Sequence, residues 1–317
     1  MSEQSWFYPR GALAREEWES VVDDSIPGWT HAWLRVRALQ AGVPVNLEAC
    51  DRERMFVPLQ GGAILRWASA TGEGELTLRG RTSVFDGPTD VAFIGSHTSV
   101  EVEGAGRLAI AEAVATSERP VAYLPREDVP VEIRGAGRST RQVHNFGVPG
   151  ALDADSLIVC EVITPSENWS SYPAHKHDEL IPGVESKLEE IYYFEADVSS
   201  VPAALGAAGA SVDGAEPFGM FAAYSSPQGE IAINALVHTG DIALVPHGYH
   251  GPAAAAPGYD LYYLNVMAGP AAEREWRITD DPHQSWVRDL WAGQPADPRL
   301  PYGGVPLPHG AVKEQAE

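Results

Sequence analysis

The sequence predicts an all-β protein built as two similar barrels or sandwiches. Glycine (31 residues) and proline (25) are frequent, and long helical heptads are absent. Chains rich in turn formers and short strands favour β folds. The β-prone runs come in two successive sets, one within residues 1–150 and one within 151–290, and each set has enough strands for one barrel.

The elements follow in order along the chain. A weak helical patch, ALAREEWESVVDD (residues 12–24), precedes a first set of strands that includes MFVPLQGGAILRWASA and DVAFIGSHTSVEVEG. Turn formers in residues 144–155 indicate the boundary between the sets. The second set includes SLIVCEVITP, EEIYYFEAD and YDLYYLNVMAG. A small-residue segment, 201–219, is expected to be a surface excursion, and the proline-rich stretch 291–317 an irregular tail.

The composition excludes several kinds of partner. With 22 basic and 44 acidic residues the net charge is −22, which argues against nucleic acid and against anionic membrane surfaces. Two cysteines, Cys50 and Cys160, are too few for a disulfide framework and wrongly spaced for zinc. No signal-like or membrane-spanning apolar run is present. We expect a cytoplasmic protein that acts on a small molecule, and a homo-oligomer remains open.

The stretch YPAHKHD brings metal-binding side chains onto a strand. His175 and His177 are two residues apart, so on a strand they face the same way, with their Cα atoms about 6.6–7 Å apart. Two imidazoles at that spacing can converge on one ion. Glu189 and Glu190 on the next strand point to opposite faces, and only one of them can join the histidines.

A later turn supplies another histidine. In GDIALVPHGYHGP a strand ends at Pro246, and a tight turn presents His247 and His250. Because their separation is odd, we do not expect both to face one cavity. Two histidines, one carboxylate and one further histidine leave open positions on a divalent ion, which is typical of catalytic sites.

These segments together resemble a known family. HKH, a carboxylate before IYYF, and GDIALVPHGYH are similar to the two metal motifs of the cupin superfamily. With APGYDLYYLNVMAGP and DPHQSW added, the chain resembles the 5-deoxy-glucuronate isomerase family of inositol catabolism, a bicupin. The resemblance implies two double-stranded β-helix (jelly-roll) barrels, with an inserted loop between His177 and Glu190.

The resemblance also implies which barrel holds the metal. The barrel within 151–290 would bind a divalent ion, zinc or manganese, and the ligands would be His175, His177, Glu190 and His250, with Glu189 kept in reserve. The barrel within 1–150 lacks this set. Arg54 stands where the carboxylate would be, and His97, which no HxH pair precedes, is interpreted as structural.

The family's reaction is an aldose–ketose isomerisation of 5-deoxy-D-glucuronate, which moves a hydrogen between adjacent carbons. The candidates for its catalytic groups are His247, Glu179 and Tyr263. The candidates for binding the substrate carboxylate are Arg141, Lys176 and Arg274, and an arginine would match a carboxylate better than a lysine. Three other functions remain open: a related uronate ketol-isomerase, a cupin-type metal-dependent oxygenase and a non-catalytic sugar-binding protein.

Overall fold

A computed structural model describes residues 6–199 and 214–304, and these residues are mostly β. The all-β prediction is confirmed. The strands of the first half are β1 Phe7–Tyr8, β2 Ser20–Val22, β3 Ala32–Leu39, β4 Val45–Leu47, β5 Arg52–Ser69, β6 Gly72–Arg81, β7 Val91–Ile94, β8 Ser99–Val114, β9 Ala122–Leu124, β10 Val131–Arg134 and β11 Arg141–Gly147.

The second half continues with twelve further strands among the described residues. They are β12 Ile158–Thr164, β13 Trp169–Ser170, β14 His175–Lys176, β15 Asp178–Ile181, β16 Glu185–Lys187, β17 Glu189–Val198, β18 Gly219–Ser226, β19 Gly229–Val237, β20 Ile242–Val245, β21 Tyr249–Ala255, β22 Tyr259–Ala268 and β23 Thr279–Asp280. The 3₁₀ helices are Val84–Asp86, Arg126–Asp128, Gly137–Ser139, Ser285–Trp291 and Tyr302–Gly304. No helix in the described parts of the chain has the length and apolar character needed to cross a membrane.

The first barrel is formed by one antiparallel sheet. Its main path runs β2-β3-β8-β5-β7-β9, with β4 added on β8 and β6 added on β5. The long strands β5 and β8 pair along almost their whole length. Branched and aromatic residues on their inner faces, such as Phe56, Leu65, Val102 and Ile110, are buried in this barrel's own core.

The second barrel packs two sheets face to face. The seven-stranded sheet has the order β1-β20-β17-β22-β12-β11-β10, and the other sheet follows β19-β18-β21-β14-β23. Phe194 and Phe221 lie between them in one core. The opposite face of the seven-stranded sheet packs on the first barrel through side chains such as Tyr193 and Tyr262. Because strands alternate their side chains, one sheet serves both cores.

Two features differ from the sequence prediction or extend it. The predicted helix over residues 12–24 is wrong: the segment forms turns and strand β2, whose three residues are all buried beside β3. Pairing with a neighbouring strand outweighs its weak helical propensity. Strands β10 and β11 lie within residues 1–150, yet they belong to the sheet of the second barrel. The division into domains at residue 150 stays a prediction.

Parts of two further predictions lie outside the described residues. These are most of the segment 201–219 and residues 305–317 of the predicted tail. The described part of that tail runs along the barrel, where the Tyr302 side chain is buried and its hydroxyl donates to Asp260 Oδ2 at 2.8 Å.

Candidate metal centre

The first two histidines lie beside the third because of strand pairing. Strand β14 is only two residues long, and it pairs with β21 so that His175 lies directly opposite His250. His177 follows β14 and is buried. The histidine motif and the later turn are more than 70 positions apart in the sequence, and the sheet brings them together.

The turn before His250 depends on glycine. Gly248 has φ +97°, and a Cβ there would lie 2.4 Å from Ile231 Cγ2 and 2.7 Å from the Tyr224 carbonyl oxygen. Only glycine adopts this backbone conformation at low cost. The Gly248 carbonyl in turn lies 3.1 Å from His250 Nδ1, so the turn both places the ring and orients it.

The two adjacent glutamates face opposite ways. Glu190 Oε2 lies 2.9 Å from His177 Nε2 and 3.1 Å from His250 Nε2. Glu189 points to the first barrel, where it accepts hydrogen bonds from Thr30 N at 3.1 Å and His31 N at 2.7 Å. Strand alternation therefore places Glu190 with the histidines and uses Glu189 to join the barrels.

One group of side chains could hold a metal ion. The ligand atoms of His177, Glu190 and His250 all lie within 4.8 Å of one another, and all three residues are buried. In the described residues no second group of this kind occurs. The ring of His175 is next to the group, with its centroid 4.5 Å from that of His250 and 6.3 Å from that of His177.

Backbone carbonyls orient the three rings in the same sense. Nδ1 of His175, His177 and His250 lies 3.3, 3.1 and 3.1 Å from the carbonyl oxygens of Pro173, Leu188 and Gly248. A carbonyl only accepts, so each Nδ1 carries a hydrogen, and a ring that is neutral keeps its lone pair on Nε2. This is the arrangement typical of histidines that ligate metals.

The Nε2 atoms of His177 and His250 both point towards the carboxylate of Glu190, which accepts hydrogen bonds and donates none when it is ionised. His250 Nε2 is buried and makes no hydrogen bond, although Glu190 Oε2 is 3.1 Å away. Two nitrogen lone pairs and a carboxylate directed to one small volume repel each other unless a positive charge lies between them. The residues therefore fit a divalent cation.

The neighbours of Glu190 keep its carboxyl group ionised. Burial opposes ionisation of Glu190, but His177 and His250 outweigh it and hold the pKa of this carboxyl well below its usual range. Burial also opposes the charged ring of His177, but the hydrogen bond to Glu190 outweighs it and raises the pKa of His177. Burial, together with His250, lowers the pKa of His175. The carboxylate is thus held ionised among rings, as a ligand set requires.

The inserted segment between His177 and Glu190 supports the ligands from behind. It forms the β15–β16 hairpin. Lys176 Nζ, which is buried, donates to Asp178 Oδ1 at 2.8 Å and to Glu185 Oε1 at 2.7 Å. Asp178 Oδ2 accepts from Gly248 N at 2.8 Å. One carboxylate therefore ties the first histidine motif to the turn that carries His250.

A small cavity adjoins the group. It has a volume of about 50 Å³, room for one or two water molecules at roughly 30 Å³ each. His175 and Glu190 line one part of its wall, and aromatic, amide and cationic side chains line the rest. These are Arg134, Arg141, Ser171, Tyr192, Tyr263, Asn265, Trp276 and Arg288, with the aliphatic residues Val143, Val162 and Ile278.

Of the three predicted catalytic residues, only Tyr263 lines this cavity. His247 lies on the outer side of the turn, with Nε2 3.1 Å from the Glu230 carbonyl oxygen. Glu179 is exposed on the hairpin. Neither residue shares the strand of His250: His247 lies in the turn between β20 and β21, and Glu179 lies on β15.

The three residues predicted to bind the substrate carboxylate have different surroundings in the structure. Arg141 lines the cavity. Lys176 is neutralised by its two acids, and Arg274 donates to the carbonyl oxygens of Leu157, Leu152 and Gly147. The other two arginines of the wall, Arg134 and Arg288, were not among the predicted site residues, and no local sequence pattern marks them. In the first barrel, His97 is exposed, and Arg54 is bound to Glu112 at 2.9 Å.

Comparison with known families gives a consistent result. The profile of the KduI/IolB family matches residues 7–287. A protein named 5-deoxy-glucuronate isomerase from Geobacillus thermodenitrificans is 36% identical over 265 residues, which cover 83% of this chain and 88% of the relative. A Bacillus subtilis protein of the same name is 33% identical over 261 residues, covering 81% and 88%.

Solved structures agree on the fold. The crystal structure of an IolB-like protein from Salmonella typhimurium superposes with a TM-score of 0.76 at 31% identity and covers 90% of this chain and 99% of its own. The oxalate decarboxylase of Lactobacillus farciminis superposes with a TM-score of 0.60 at 9% identity, covering 93% and 92%, and shows a shared fold alone. The predicted bicupin fold is confirmed.

Proposed function

The chain belongs to the KduI/IolB family, and from that premise we propose that it is an aldose–ketose isomerase that converts 5-deoxy-D-glucuronate to 5-dehydro-2-deoxy-D-gluconate. The relatives named 5-deoxy-glucuronate isomerase support the substrate. Within this chain, the proposal depends on the His177–Glu190–His250 group, which meets a cavity lined by polar side chains.

The reaction moves a hydrogen from C2 to C1 of the open-chain aldose, with no net redox change. We propose that His177, Glu190 and His250 hold the divalent ion, with His175 as the fourth ligand. Nitrogen and oxygen donors of this kind suit zinc or manganese. When bound, such an ion polarises the substrate carbonyl and hydroxyl oxygens as a Lewis acid. The Nδ1 bonds to backbone carbonyls keep the rings in place during turnover.

Two further side chains are proposed to bind substrate hydroxyls. Burial raises the pKa of Tyr263, so its phenol stays protonated and can donate a hydrogen bond. Asn265 Nδ2 is buried without a partner, which leaves a donor for a ligand in the cavity. We do not extend the proposal to His247 or Glu179, because neither side chain lines the cavity.

The proposal includes the setting in which the protein works. Cys50 and Cys160 are both free thiols, a state that persists in reducing compartments. A cytoplasmic location fits these thiols and the use of a sugar acid released by other metabolic enzymes. With a net charge of −22 the long-range field of the protein does not favour an anionic substrate, so the proposed attraction acts at short range, within the cavity.

The test is conversion of the substrate under defined metal and oxygen conditions. Protein loaded with zinc or manganese is incubated anaerobically with 5-deoxy-D-glucuronate, and the ketose product is followed by NMR. We expect full conversion to equilibrium without oxygen. Absence of product with metal-loaded protein would refute the proposal, and oxygen uptake equal to turnover would assign an oxygenase instead.

A further inference from the structure

The cavity has two chemically different ends. Glu190 and the histidines lie at one end of the inner face of the seven-stranded sheet. The register places Asn265 and then Tyr263 next along β22, and Tyr263 lies in the same row as Val143 of β11. Arg141 comes two residues further along β11 on the same face, beyond Val143. Arg141 and the ligand group therefore lie at different ends of the inner face of the seven-stranded sheet.

Arg141 differs from the other buried cations. Four lysine or arginine side chains are buried among the described residues, namely Arg54, Arg81, Arg141 and Lys176. Arg54 is bound to Glu112 at 2.9 Å, Arg81 to Glu161 at 2.7 Å and Lys176 to Glu185 at 2.7 Å. Over the described residues, no salt bridge involves Arg141. Its Nη1 donates a hydrogen bond to the Ser139 carbonyl oxygen at 3.2 Å.

The two other arginines that line the cavity, Arg134 and Arg288, each form a salt bridge with an acidic side chain. Arg134 Nε donates to Glu132 Oε2 at 2.9 Å, and Arg288 Nη2 donates to Asp280 Oδ1 at 2.7 Å. The Arg141 guanidinium stacks over Trp291, 5.7 Å from the ring centroid. This stacking holds the planar group but supplies no negative charge.

We propose that Arg141 binds the carboxylate of the substrate, so that the acid end of the open-chain sugar lies at Arg141 and the carbonyl end lies at the ligand group. The proposal rests on the proposed isomerase function. A buried guanidinium without an acid partner is unfavourable in the free protein, and a carboxylate ligand supplies the missing charge and two acceptor oxygens in the geometry that the fork of donors matches.

The charge state of Arg141 is compatible with this role. Burial, assisted by the positive charges of Arg134 and Arg288, lowers the pKa of Arg141 to about 10. The group therefore remains protonated at neutral pH. The same side chain then acts as a specificity determinant, because a neutral sugar of equal size leaves the guanidinium without a counter-charge.

The first experiment compares two substrates in three proteins. The substrates are 5-deoxy-D-glucuronate and 5-deoxy-D-glucose, in which a primary alcohol replaces the carboxylate. The proteins are wild type, Arg141→Met and the control Arg138→Met, which removes an arginine that is 66% exposed and pairs with Glu167. We expect Arg141→Met to lose about 10²- to 10³-fold in kcat/KM on the acid and about threefold or less on the alcohol.

A conservative variant and a stability measurement complete this test. Arg141→Lys keeps the charge but loses the two-pronged donor geometry, so its kcat/KM on the acid should lie between those of wild type and Arg141→Met. Thermal unfolding should show no lower Tm for Arg141→Met than for Arg138→Met, since an unpaired charge is removed. Equal losses on the acid and the alcohol would overturn the proposal.

A binding experiment separates this proposal from the isomerase function itself. Calorimetric titrations use D-gluconate and D-glucitol, an open-chain acid and its neutral counterpart, on metal-loaded protein. If wild type binds the acid at least tenfold more tightly and Arg141→Met loses that preference, the carboxylate site is supported even if wild type turns over no 5-deoxy-D-glucuronate. If the preference is absent in wild type or persists in Arg141→Met, the proposal is wrong whatever the outcome of the activity assay.

Discussion

Substituting Glu161 by glutamine should remove one of the main stabilising interactions between the two barrels. Glu161 lies on β12 with its side chain fully buried. Its oxygens accept from Arg81 Nη1 and Nη2, both at 2.7 Å, and from Tyr262 at 2.8 Å. His144 Nδ1 lies 2.6 Å from Oε1. The variant keeps the shape of the side chain and leaves the Arg81 charge without its partner.

The expected loss can be worked out in two ways. Burial opposes ionisation of Glu161, but Arg81 and His144 outweigh it and lower its pKa from 4.5 to about 2. A difference of this size corresponds to about 3 kcal/mol of stability at neutral pH. Removing one partner of a buried ion pair costs about 3–5 kcal/mol. Both routes predict a loss of about 3 kcal/mol or more at pH 7.

The sign of the pH dependence follows from the lowered pKa. The carboxylate contribution is fully present above the unfolded pKa of 4.5 and is lost as the pH falls towards about 2. The assay is urea unfolding of wild type and Glu161→Gln at pH 7 and pH 3. The difference in the free energy of unfolding should be smaller at pH 3.

The matched control is Glu75→Gln, which breaks an exposed pair with Arg66. It should change the free energy of unfolding by about 0.5 kcal/mol or less. A loss below about 1 kcal/mol for Glu161→Gln at pH 7, or an equal difference at both pH values, would refute the reasoning.

Four further outcomes are expected. His177→Ala should lose most bound metal and most turnover, whereas Glu189→Gln, on the opposite face of the strand, should keep both; elemental analysis of the two proteins decides this. His97→Ala should leave metal content and kcat/KM nearly unchanged, and a fall in metal stoichiometry would indicate a second site. Isomerisation in D₂O should introduce little deuterium into the product, and NMR of the product measures the extent. The imidazole and carboxylate bases that line the cavity are His175 and Glu190. Both belong to the proposed ligand set, so we do not expect either to exchange the moving hydrogen with solvent. The cavity of about 50 Å³ is smaller than a six-carbon acid, so hydrogen exchange over residues 276–291, which carry part of its wall, should change when D-gluconate binds.

The parts of the site that the sequence predicted are those that strand geometry determines. Spacing alone indicated that His175 and His177 share a face and that only one of Glu189 and Glu190 can join them. The odd separation of His247 and His250 indicated that one of them faces away. The structure places the side chains in this arrangement. Local alternation is sufficient for such predictions because each depends on a few consecutive residues.

The parts that were missed depend on contacts between distant residues. Glu161 lies in the apolar run SLIVCEVITP, and nothing local indicates that its partner is Arg81, 80 positions away. The helical pattern of residues 12–24 was overridden in the same way by pairing of β2 with β3. From the sequence, Lys176 was a candidate for binding a substrate carboxylate. In the structure the β15–β16 hairpin brings Asp178 and Glu185 to its ammonium group, and both form salt bridges with it.

The distribution of buried charge connects these observations to function. A folded protein tolerates buried ionised groups when opposite charges or hydrogen bonds compensate them. Arg81 and Lys176 are compensated in this way, one between the barrels and one behind the ligands. Among the described residues, compensation is incomplete at the buried histidine nitrogens around Glu190 and at Arg141. Both lie on the wall of one cavity. The first requires a cation and the second requires an anion, and a metal ion together with a sugar acid would supply the two charges at once.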